Sequence, residues 1–193
     1  MFESWFFVLT LLAVLLIPGA NNALLAHASY QNGVVKSLWM IPVLWLGYVY
    51  GIALWALLIH LFEPIWPALG QIFYILSLLY VFWMVFRLWK RDQLLSYAQQ
   101  QRASSLFFAS FKNPKTVLLA AGIFPDQTWH SVQSCLHMFG VFSAILIVVM
   151  LFWMSFGPML LSGRLKKIKA DQMYTGSALL LLICALPLLL HLF

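Results

Sequence analysis

Six apolar stretches of about bilayer length run through this chain, at 4–29, 38–61, 70–89, 105–125, 132–160 and 173–193. A helix needs about 20 apolar residues to cross a hydrocarbon core. Each stretch therefore predicts a transmembrane helix, and the whole of 1–193 predicts one all-α polytopic membrane domain. Only 8% of the residues are charged, against roughly 25% in an average soluble domain, which excludes a soluble catalytic domain. The one longer link, Arg87 to Arg102, divides the chain into halves of three helices, about 1–96 and 97–193.

Charge placement gives the orientation. Lys36 lies in the first connection. Arg87, Lys90, Arg91 and Arg102 surround the third, with Lys112 and Lys115 just after it, and Arg164, Lys166, Lys167 and Lys169 fill the fifth. All eleven basic residues thus fall towards one side, while Glu3, Glu63 and Asp126 fall on the other. The positive-inside rule makes the basic side cytoplasmic and turns both termini outward. The net charge of +6 then belongs to cytoplasmic loops, so no nucleic-acid partner is expected and membrane lipid is.

A cleaved signal peptide is the alternative for the first stretch, because Ala26-His27-Ala28 fits a cleavage pattern. Glu3, the lack of any basic residue before the apolar run, and the position of Lys36 oppose it. Trp5, Trp66 and Trp129 fall at outer ends and Trp39 and Trp89 at inner ends, as interfacial belts require. Cys135 and Cys184 sit alone in separate apolar runs and read as packing residues. Gly47-x-x-x-Gly51 permits close approach of two helices. Internal packing is the expectation there, with a homodimer seam as the alternative.

Two stretches are interrupted. Ser4 to Ile17 gives 14 residues before Pro18-Gly19 and Asn21-Asn22, a reach of about 21 Å at the helical rise, too short for a core of about 30 Å. Proline removes a backbone donor and glycine loosens the helix, so backbone groups near 14–22 are freed where lipid cannot satisfy them. The fourth stretch is broken by Lys112-Asn113-Pro114-Lys115, and Pro114 to Phe124 is 11 residues, about 17 Å. Asn113 is a good N-cap and Pro114 a good first helical residue, which predicts a half-helix from 114 to 124.

Pro18 and Pro114 lie 96 residues apart in a chain of 193, so the second half repeats the break of the first. Three helices per half force the halves into opposite orientation. That is the inverted-repeat plan of many secondary transporters, in which matching broken helices mark the substrate site. The candidate substrate-binding residues are accordingly Pro18, Gly19, Asn21, Asn22, Asn113, Pro114 and Lys115. Read singly, each break is also an ordinary kink or cap.

These residues resemble the LysE/RhtB family of bacterial amino-acid exporters, six-helix proteins of about this length. The family's Pro-Gly-Pro-x-Asn in the first helix is met by Pro18-Gly19-Ala20-Asn21-Asn22, and its Asn-Pro-Lys in the fourth by Asn113-Pro114-Lys115. The third stretch, from Gly70 through Tyr74 and Tyr80 to Arg87-Leu88-Trp89-Lys90, is also similar. Ala20 departs from the family's second proline, and a glycine before the third helix's basic end is missing. The resemblance implies export of amino acids across the bacterial inner membrane, coupled to proton exchange, with periplasmic termini.

The polar residues constrain the cargo. Amide N–H groups at a half-helix start suit a carboxylate, Lys115 with Lys112 would add positive charge, and freed carbonyls suit an ammonium. No Asp or Glu lies inside any stretch, so strongly basic cargo and metal binding are not expected, and no cofactor is. Small neutral amino acids fit best. Histidine exchanges protons near neutral pH; His27 is nearest a break, ahead of His60 and His137, and Asp126 at the outer end of the fourth stretch is a candidate gate. No nucleophile–base pair or paired carboxylates can be assembled, so enzymatic activity is not expected. The alternative function is a non-transporting subunit that anchors a larger complex.

Overall fold

The computed structural model describes residues 2–17, 19–62, 64–66, 68–89 and 102–162. Pro18, Glu63, the link 90–101, the fifth connection and the sixth stretch at 173–193 lie outside the described residues. Within them the chain is all-helical: α1 (Phe2–Leu16), α2 (Ala20–Asn32), α3 (Val34–Ser37), α4 (Met40–Phe62), α5 (Ala68–Trp89), α6 (Ala103–Phe111), α7 (Pro114–Leu118) and α8 (Val132–Leu161). A π-helical turn, Leu119–Ile123, extends α7, and a 3-10 turn, Asp126–Trp129, precedes α8.

Two helical runs are long and apolar enough to cross a membrane, Val34–Phe62 and Val132–Met159. The pair α1 and α2 adds a third if counted as one span, bent by 55° at the break. Their outward faces carry large apolar side chains, among them Tyr50, Leu57, Val148 and Leu151, as lipid contact requires. Trp5, Trp39 and Trp66 are exposed. Trp129 is not: it is half-buried, stacked on Phe124 at 5.9 Å and set edge-on to His60 at 5.9 Å.

The core lies where α1, α2, α4, the α6–α7 segment and α8 meet, built on Leu11, Leu25, Leu44, Ile52, Leu106, Leu119, Phe142 and Met154. Close crossings set its geometry. A methyl added at Gly47 would lie 2.6 Å from Ser110 Cβ and 2.7 Å from Phe107 O, and one at Gly51 would lie 2.9 Å from Thr116 Cγ2. Both glycines therefore face α6 and α7 of the same chain, the internal use of the Gly-x-x-x-Gly pair. Gly33, with φ of 84°, makes the turn out of α2, and its N–H donates to Ser29 O at 3.0 Å.

The fourth stretch differs from expectation beyond its break. The half-helix predicted for 114–124 is α-helical only to Leu118 and then widens, with Phe124 N–H donating to Leu119 O at 2.9 Å. The extra residue in the wide turn carries Ile123 and Phe124 into the core, where Phe124 meets Phe7 edge-on at 5.7 Å. π-turns of this kind interrupt helices where a side chain must be re-aimed.

Candidate functional site

Both interruptions are real breaks in the backbone, and they meet. α1 ends at Leu16, α2 starts at Ala20, and Gly19 caps the start of α2 in extended conformation with no side-chain hydrogen bond. α6 ends at Phe111, and Asn113 restarts the helix by accepting from Lys115 N–H at 3.0 Å while its backbone oxygen accepts from Thr116 N–H at 2.8 Å. Lys115 then reaches across: its Nζ donates to the backbone oxygen of Ile17, 98 residues earlier, at 3.0 Å. The two interrupted segments thus form one buried polar cluster.

The last carbonyls of α1 have lost their helical partners, and side chains replace them. Asn22 Nδ2 donates to Leu15 O at 2.9 Å and to Ile17 O at 2.8 Å. Trp153 Nε1, on α8, donates to Leu16 O at 3.2 Å. Asn21 faces the other way, donating to Ser110 Oγ at 2.9 Å and neighbouring the Tyr48 hydroxyl, which also accepts from Asn113 Nδ2 at 3.2 Å. Thr116, fully buried, donates to Asn113 O at 2.7 Å.

Two features of the cluster are incomplete. The Lys115 side chain is 2% exposed, yet among the described residues it has no carboxylate partner, and Ile17 O takes only one of its three donors. Asn21 is 3% exposed and its Oδ1 has no hydrogen-bond partner among the described residues. The two arms of an amide are assigned from their surroundings, and exchanging them leaves the other arm unpaired. A buried, unpaired polar group is costly. The uncapped start of α2, a 13-residue helix, adds a partial positive charge at the same break.

Of the residues expected at the site, Asn21, Asn22, Asn113 and Lys115 are brought together, and Gly19 is buried at the break. Pro114 starts α7; Pro18 lies outside the described residues. Lys112 does not join: it is exposed, on the far side of the break from Lys115. The start of α7 is also less open to an anion than its sequence suggests, because Asn113 already takes the Lys115 and Thr116 N–H groups. Lys115 Nζ, not the helix start, is the cationic feature.

His27 is half-buried on α2 and Asp126 is exposed at the first position of the 3-10 turn. Neither hydrogen bonds to any member of the cluster among the described residues. His60 Nδ1 lies 3.1 Å from Ala56 O, and His137 is exposed. The sequence reading did not single out Tyr48, Ser110, Thr116 or Trp153. Ser110 and Thr116 each stand one turn from Asn113, which was the signal available for them; Tyr48 and Trp153 lie in apolar runs with none. Groups of three or more metal-ligating side chains are absent among the described residues.

Comparisons with protein-family models, curated proteins and solved structures return no match for this chain.

Proposed function

We propose that this protein is a secondary transporter that exports small neutral amino acids, with the cluster between the two breaks as its substrate site. The observation that carries the reading is the Lys115 ammonium, buried without a counter-anion among the described residues and held on a carbonyl of the opposite break. A zwitterion offers the carboxylate that Lys115 lacks and an ammonium for carbonyls at the end of α1. The absence of any Asp or Glu from the cluster among the described residues favours neutral over basic cargo. Asn21, with one arm of its amide free, is a further contact.

The six-helix inverted-repeat architecture, the LysE/RhtB resemblance, the bacterial inner-membrane location with periplasmic termini and proton exchange belong to the same proposal. The two apolar spans and the bent α1–α2 pair support its membrane part, and the recurrence of the breaks 96 residues apart supports its repeat. Within it, His27 and Asp126 would act in coupling or gating from outside the cluster. A non-transporting anchor subunit is the competing class, and it gives no reason for a buried lysine without an anion.

Overexpression is expected to protect cells against an excess of a small neutral amino acid or its toxic analogue, with matching efflux from loaded vesicles. Sensitivity to lysine, arginine and divalent metals should not change. Protection confined to arginine or to a metal overturns the cargo assignment, and no efflux of any amino acid overturns transport.

A further inference from the structure

The Ile17 carbonyl is full. A carbonyl oxygen offers two lone pairs; one accepts from Asn22 Nδ2 at 2.8 Å and the other from Lys115 Nζ at 3.0 Å. A substrate ammonium can dock there only by displacing one of the two. Asn22 is held a second time, on Leu15 O at 2.9 Å, and is local to the break. Lys115 comes from the other break and has this one hydrogen bond. Lys115 is therefore the donor that yields.

We propose that the Ile17 carbonyl is the seat for the ammonium of the transported amino acid, and that Lys115 fills it in the unloaded protein as an internal substitute. Loading is then a double exchange: the substrate ammonium takes Ile17 O, and the released Lys115 ammonium takes the substrate carboxylate. This rests on the transport reading above and adds to it a requirement for both poles of the zwitterion.

The requirement is unequal for the two poles. A primary amine without a carboxylate would displace Lys115 and leave two buried positive charges side by side without an anion, which low-dielectric surroundings penalise heavily. A carboxylic acid without an amine draws Lys115 away and leaves Ile17 O still bonded to Asn22, a loss of one charge-assisted hydrogen bond. The carboxylate-only analogue should bind roughly ten- to a hundredfold more weakly than the amino acid, and the amine-only analogue more weakly still.

The test uses the full chain in lipid bilayers. Counterflow with each of the twenty standard amino acids first selects the one with the largest response. Protein labelled with 15N at lysine Nζ and 13C at isoleucine carbonyls is then measured by solid-state dipolar recoupling. The Ile17–Lys115 pair is assigned by its loss in Ile17→Val, which removes the label and keeps the hydrogen bond. Close coupling in the unloaded protein, lost on saturation with the selected amino acid, is the expected result, alongside the unequal analogue affinities. Coupling that persists on loading, or is missing without substrate, overturns the exchange while counterflow leaves transport standing. No counterflow with any of the twenty overturns both.

Discussion

Replacing Lys115 by methionine separates a lysine kept for a ligand from one kept for the fold. Methionine has similar length and volume but neither charge nor donor. What the variant loses is one hydrogen bond to Ile17 O, worth about 1.5–3 kcal/mol when one partner is charged. What it removes is the burden of an ammonium that is 2% exposed with no anion beside it among the described residues, a penalty of about several kcal/mol even after relaxation. Ile17 O keeps Asn22 as donor, so no backbone group is orphaned. The variant should therefore be as stable as the parent or more so, by up to about 2 kcal/mol as the difference of those terms.

Function should move the other way. Losing the proposed contact to a substrate carboxylate lowers affinity roughly ten- to a hundredfold, so efflux at equal expression and subsaturating substrate should fall by about that factor. Lys115→Arg should not restore it fully, because a planar guanidinium places its donors differently from a compact ammonium. Lys36→Met, at an exposed position, is the control and should transport normally. Thermal unfolding in detergent and efflux from loaded vesicles are the two measurements. A fall in melting temperature of more than roughly 5 °C, equivalent to about 1.3–2.5 kcal/mol at this size, would show Lys115 to be a structural clasp and refute the expectation. Normal efflux in Lys115→Met would refute it from the other side.

Asn22→Leu should behave in the opposite sense to Lys115→Met, losing about 1–3 kcal/mol of stability because Leu15 O is left without its donor; unchanged melting would show that water replaces the amide. Gly47→Ala should cost about 1–3 kcal/mol, since its methyl would meet Ser110 Cβ at 2.6 Å and Phe107 O at 2.7 Å, and it should weaken transport by shifting the partner of Asn21. Equal melting of Gly47→Ala and parent would exclude that crossing. With Cys135 and Cys184 replaced by serine, Glu63→Cys and Asp126→Cys should react with an impermeant thiol reagent from outside intact cells, while Gln100→Cys and Lys167→Cys should not. Outside labelling at Gln100→Cys would break both the orientation and the repeat.

The apolar stretches made the helical character of the described residues legible, and two of the expected spans are long and apolar enough to cross a membrane, because length and composition decide that property. The breaks were legible for a related reason. Pro18-Gly19 and Asn113-Pro114 change backbone chemistry at their own positions, whatever packs around them. The fate of the freed carbonyls was not legible. It depends on which side chains the helix rotations bring near, and a one-residue error in register turns a side chain by about 100° around the axis. Tyr48 and Trp153 therefore gave no sign of joining the cluster. Lys112 and Lys115, three apart, would share a face on an unbroken helix; the restart at Asn113 leaves one exposed and the other buried. Leu119–Ile123 reads as ordinary helix apart from Gly122, so its widening into a π-turn could not be foreseen.

The partners at the first break lie at very different distances along the chain. Leu16 O depends on Trp153 and Ile17 O on Lys115, which lie 137 and 98 residues further along the chain. Asn22 alone is local, five residues from Ile17 and seven from Leu15, and serves both of their oxygens. An α1–α2 pair that enters the bilayer before α7 and α8 exist must satisfy its own backbone, since lipid offers no donors. Asn22 does so for Leu15 and Ile17, and leaves on Ile17 O the lone pair that Lys115 later fills. A break completed only when the second half arrives holds the halves together by backbone chemistry as well as by packing. Lys115, the nearer of the two distant partners along the chain, is the one that the proposed exchange would release.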